Sequence, residues 1–154
     1  MPKTFGTWTE LFRELERRNP KALTTYGSFS VLNAYFFKSW GRSGDNLLNI
    51  ERFTERSSNF SQPGYSVKSF VNTRVAVSLF NHYALTSLQP TQKLNAHLNV
   101  EEIQMNHYKM SCPESISSQC AENYLKYHEK DTSVLKYAGE VAKRVTIAKE
   151  NIAS

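Results

Sequence analysis

Tyr65–Gln89, YSVKSFVNTRVAVSLFNHYALTSLQ, runs without Gly or Pro, and its reading decides the fold class. Val67, Val71, Val75, Leu79 and Tyr83 recur every four residues, which places them on one face of a helix. Val71, Thr73, Val75, Val77 and Leu79 also alternate as in a strand. Length separates the two, because strands average about five or six residues and one this long needs a turn. The run is therefore read as one long helix over 66–88.

Upstream, Ser57–Gly64 (SSNFSQPG) is rich in turn formers and marks a hinge or sub-domain boundary. Thr7-Trp8-Thr9-Glu10 is a capping box, followed by Trp8, Leu11, Phe12 and Leu15 at helical spacing, with Pro20 blocking continuation. A helix over 7–18 follows, and then an irregular stretch over 21–27. Phe29, Leu32, Phe36 and Trp40, with Tyr35 between, mark a second helical face closed by Gly41. Asp45 caps a third helix carrying Leu47, Leu48, Ile50 and Phe53 to about Arg56.

Downstream, Pro90 restarts the chain. Leu98, Val100, Ile103 and Met105 suit a short β-hairpin at 94–110, or an irregular helix. Ser111-Cys112-Pro113-Glu114 is a second capping box opening a helix over 113–128, with Ile116, Cys120, Tyr124 and Tyr127 on one face. Asp131 caps the last helix, whose stripe is Val134, Ala138, Val141, Val145, Ala148 and Ile152. The expected fold is a mainly α single-domain bundle of about six helices.

At 154 residues, one domain is the default. Hydrophobic residues at 40% and charged residues at 21% describe a folded chain, not a disordered one. No run reaches the ~20 apolar residues of a membrane span. Residues 1–20 lack a secretory apolar run, and Glu10, Glu14 and Glu16 argue against a mitochondrial leader. The expected location is the cytoplasm or another reducing compartment, with Cys112 and Cys120 as free thiols. Charge is uneven: residues 1–80 hold 11 basic and 6 acidic groups, or +5, whereas residues 81–154 hold 8 of each. All nine Phe and both Trp also fall in the first half.

No HExxH, Walker loop, GxSxG elbow or dinucleotide fingerprint is present, so no catalytic residue, cofactor or metal site is assigned. Cys112, Cys120 and His128 are eight residues apart on one expected helix. Eight residues rise ~12 Å, too far for one ion with ~2 Å bonds. Gly41-Arg42-Ser43-Gly44 lies between two expected helices and resembles the GxxG loop of KH domains. That resemblance implies a phosphate backbone held against glycine amides. It covers about twenty residues. Asp45 sets an acid beside the phosphate and no strand precedes the loop, which favours a plain glycine-closed turn.

Arg17, Arg18, Lys21, Lys38, Arg42, Arg52 and Arg56 form two basic clusters with aromatics interleaved, a composition suited to phosphates and unpaired bases. The C-terminal stripe alternates spacings of four and three as a coiled-coil seam does. Its Val and Ala content favours packing within the chain, with a protein partner or self-association as the alternative. The expected role is a non-enzymatic subunit of a larger assembly, coat-like or ribonucleoprotein-like. It would contact nucleic acid, RNA before DNA, through the basic half. The runner-up is an accessory subunit of a protein-only complex that meets an acidic partner. A small enzyme with dispersed residues ranks third.

Overall fold

The first helix, α1 (Trp8–Arg18), forms where the capping box places it: Glu10 N–H donates to Thr7 Oγ1 at 3.2 Å, and Glu10 Oε2 accepts from the Thr7 and Gly6 amides. It buries Leu11 and half-buries Phe12 and Leu15. A single turn, α2 (Ala22–Thr25), follows. The computed structural model describes residues 6–44, 48–64, 67–114 and 117–153. It divides them between two compact units, Met1–Ala34 with Phe60–Asn106, and Tyr35–Asn59 with His107–Ser154.

In the first unit, β1 (Ser28–Val31) is the centre of a three-stranded sheet. It pairs antiparallel with β4 (Lys68–Val71), Ser28 opposite Val71, and parallel with β7 (Ala96–His97). All four β1 residues are buried. Phe29 and Val31 join Leu11, Ala22, Leu98 and Ile103 in one core, each large side chain contributing ~1.5–3 kcal/mol. Ser28 and Ser30 alternate with them, and both hydroxyls lie on Asn95 Oδ1, at 3.0 and 2.8 Å. The next strands, β5 (Ala76–Leu79) and β6 (Ala84–Ser87), form an antiparallel hairpin closed by a Phe80 N–H to Tyr83 O bond. The hairpin base sits on Gly27, where a Cβ would come within 3.0 Å of the Ala84 Cβ.

The chain passes between the units within β2 (Asn33–Phe37) and within β8 (Met105–Lys109), which pair with each other. In the second unit, α3 (Asn49–Arg52) is one turn, and β3 (Glu55–Ser57) pairs antiparallel with β9 (His128–Lys130). The short helix α4 (Ser117–Cys120) widens into a π-turn over Ala121–Leu125. Tyr35, Phe37 and Cys120 form the core, flanked by Trp40, Cys112, Tyr124 and Leu125. A 16-residue helix, α5 (Ala138–Ala153), ends the chain.

The mainly helical reading is corrected: the fold mixes five helices with nine strands among the described residues. The expected second helix is β1 and β2. Both strands are buried along their whole length, so they lack the alternation that marks a half-exposed strand. The expected helix over 66–88 is β4, a turn at Asn72–Val75, and the β5–β6 hairpin. Those turns form without Gly or Pro, and the β-branched Val71, Thr73, Val75 and Val77 favour extended backbone. Strands occur within 94–110, but β7 and β8 pair with β1 and β2 and not with each other. Helix 113–128 shrinks to α4 and the π-turn, and the third helix to Asn49–Arg52. The expected cap Asp45 and the apolar Leu47 and Ile116 lie outside the described residues.

Candidate partner-docking surface

Four of the seven arginines and lysines singled out above are engaged within the fold. Arg17 and Arg18 both donate to the Glu14 carboxylate, at 2.6 and 2.7 Å, and Arg18 also pairs with Glu102. Hydrogen bonds from Arg17 and then Arg18 hold the Glu14 carboxyl down at about 2. Arg56 is buried, pairing with Asp131 at 3.1 Å and with Glu129, and donating to Ser57 O. Arg52 Nη2 donates to Gly44 O at 2.6 Å. Lys21, Lys38 and Arg42 are exposed, and no ion pair among the described residues holds them.

The GxxG segment lacks the helical frame of a KH loop. A single 3-10 turn (Lys38–Trp40) precedes it and the one-turn α3 follows. A Cβ on Gly41 would meet Phe53 Cε1 at 2.6 Å, so the missing side chain makes room for the Phe53 ring.

Cys112 and Cys120 are joined in a disulfide with Cα atoms 5.9 Å apart, in place of the two free thiols expected. The bond closes beneath an aromatic group: Tyr124 lies 4.6 Å from Tyr35, and Trp40 packs edge-on to Phe37 and stacks on His128 at 4.9 Å. Lys109 Nζ sits 4.8 Å above the Tyr35 ring, and burial pulls its pKa below the usual lysine range. Among the described residues, no three His, Cys, Asp or Glu side chains gather as metal ligands. None of the described helices is long and apolar enough to cross a membrane.

The C-terminal stripe divides. Val134 is buried, but no residue from Ala138 to Ile152 is. Ala138 and Val145 are half-buried, while Val141, Ala148 and Ile152 face solvent, Ile152 at 86% exposure. Val134, which precedes the 3-10 turn leading into α5, is the one fully buried member of the stripe. A helix rich in Val141, Val145, Thr146, Ile147 and Ile152 has weak intrinsic propensity, and helices of this length gain their stability from packing an apolar face. With Val145 and Ile152 in the a positions and Val141 and Ala148 in the d positions, Arg144 falls beside the seam on one edge and Lys149 on the other. These flanking cations escaped the reading of the stripe, because only its apolar members were followed. The heptad register locates them.

Comparison of the chain with protein-family models, with curated protein sequences and with solved structures finds no match.

Proposed function

We propose that this chain is a non-enzymatic docking subunit of a larger assembly, joined to it through the seam of α5 and an acid-flanked partner helix. The observation that carries the reading is a 16-residue amphipathic helix without a single buried residue from 138 to 152. Arg144, which also donates to Glu140 at 2.8 Å on the exposed side of the helix, and Lys149 set the partner's charge. Two copies of α5 aligned in parallel would oppose Arg144 to Lys149, whereas a helix with Glu at its flanking positions satisfies both. Protein-only assembly is favoured over nucleic-acid contact because Arg56 is buried on Asp131 and Arg17 and Arg18 share the Glu14 carboxylate, whereas the Arg144–Glu140 pair is solvent-exposed and open to exchange for a partner's carboxylate.

The test uses a synthetic peptide of about three heptads with apolar a and d positions and Glu at the flanks, and a second with Lys there. The full chain should bind the Glu peptide, more weakly as salt rises, and reject the Lys peptide. The double variant Arg144→Glu, Lys149→Glu should invert that preference. Indifference of the chain to both peptides, or equal binding to both, would overturn the reading.

A further inference from the structure

From Arg56 to Val100 the chain contains no Asp or Glu, and its only Lys or Arg residues are Arg56, Lys68, Arg74 and Lys93. Arg56 is taken up by Glu129 and Asp131. The other three are exposed and border the β5–β6 hairpin, which itself carries no Asp, Glu, Lys or Arg. Ala76 and Ala84 turn inward onto Gly27. Val77, Leu79 and Leu85 are 61, 54 and 47% exposed, with Phe80 in the connecting turn at 52% and Leu88 just beyond at 62%. Five large apolar side chains exposed between Val77 and Leu88 concentrate apolar surface on and beside one small hairpin, unlike the scattered exposed leucines of an ordinary surface.

The cations sit at both ends of this patch. Arg74 lies in the turn that leads into β5. Lys93 bonds through its backbone to Thr25 and Gly27, where the hairpin base rests. Lys68 opens β4, the strand to which the hairpin turn is tied: His82 Nδ1 lies 2.6 Å from Val67 O, and the Ser69 hydroxyl donates to His82 O.

We propose that this hairpin is an interfacial anchor that seats on an anionic lipid surface, its aliphatic side chains entering the headgroup–acyl boundary and Lys68, Arg74 and Lys93 meeting the phosphates. Four of the five side chains are Val or Leu, with no ring face on which a base could stack, and the Phe80 ring packs against His82 and Tyr83, so the apolar content favours lipid over RNA. Cations held in no ion pair among the described residues complement an anionic leaflet, and the uncharged hairpin meets no desolvation cost for a buried charge. The anchor lies on the membrane and does not span it.

The experiment is flotation of the full chain with phosphatidylcholine vesicles, pure or containing about one-third phosphatidylserine. The chain should float with the anionic vesicles at low salt and remain behind with the neutral ones. Arg74→Gln and Lys93→Gln should each lower the partition about five-fold. The double change Val77→Ser, Leu85→Ser should lower it at least about ten-fold, with circular dichroism unchanged because both side chains are solvent-facing. In Leu79→Trp, the new indole should shift its emission to the blue on anionic vesicles only. The α5 variants above should float like the parent chain. Failure of the parent chain to float with anionic vesicles would overturn the proposal. So would flotation that is indifferent to Val77→Ser, Leu85→Ser, or loss of binding to an RNA homopolymer in the hairpin variants while flotation is unchanged.

Discussion

Arg56 on β3 and Asp131, just past β9, form a buried ion pair, the guanidinium Nε donating to the carboxylate at 3.1 Å with both side chains about nine-tenths covered. The same segment is fixed by Asp131 N–H donating to Thr54 O. Removing one partner of such a pair leaves the other buried and uncompensated. Arg56→Ala should therefore cost about 3–5 kcal/mol, read from urea denaturation. A phosphate-facing arginine would behave otherwise, with stability preserved and only binding lost.

Asn95 serves two buried hydroxyls at once, those of Ser28 and Ser30. Asn95→Leu removes the shared acceptor and should destabilise the first unit by about 1–3 kcal/mol. An unchanged denaturation midpoint would mean that the partners the serines also have, Leu94 O for Ser28 and the Ser69 hydroxyl for Ser30, suffice.

Glu14 is held at about 2 against an ordinary 4.5. Its folded-state value is depressed, so its stabilising contribution is complete above 4.5 and disappears as the pH falls toward 2. Between those limits, the melting temperature of the wild-type chain should fall more steeply than that of Glu14→Gln. Parallel curves for the two proteins would contradict the double arginine pairing.

What the sequence makes legible follows the range of the contacts. The capping box at Thr7 and Glu10 located α1 because its partners are three residues apart. The seam of α5 was readable for the same reason, since its period is local. The β1 strand was not: Ser28 pairs with Val71, and Phe29 with both Phe70 and Ala96, partners some 40 to 70 residues away. Its buried serines, satisfied by Asn95, also broke the apolar pattern that would have marked a strand. The basic half misled in a related way. Arg18 meets Glu102 and Arg56 meets Asp131 across 84 and 75 residues, so counting charge by half of the chain separated cations from their own counter-ions.

Nucleic-acid contact and protein-only docking give different salt responses. If Lys21, Lys38 and Arg42 alone met a single-stranded RNA, log affinity would fall with log salt at a slope of about −2. All seven singled-out cations would give about −5. Titrating an RNA homopolymer at several salt concentrations should return a slope no steeper than about −2, or no binding. A slope near −5 would mean that Arg17, Arg18, Arg52 and Arg56 leave their partners in the fold to reach the strand.

The seam of α5 is the centre of the account, and truncation after Gly139 tests it most directly. Val134 stays in the shortened chain, and the removed residues from Glu140 to Ile152 are all exposed or half-buried. The shortened chain should remain folded, keep the near-ultraviolet circular dichroism of its aromatic core, and unfold in urea within about 0.5 kcal/mol of the full chain. It should also lose all binding to the Glu-flanked peptide. A truncated chain that is unfolded or insoluble would show that the helix belongs to the core, and that its apolar face is covered by its own chain.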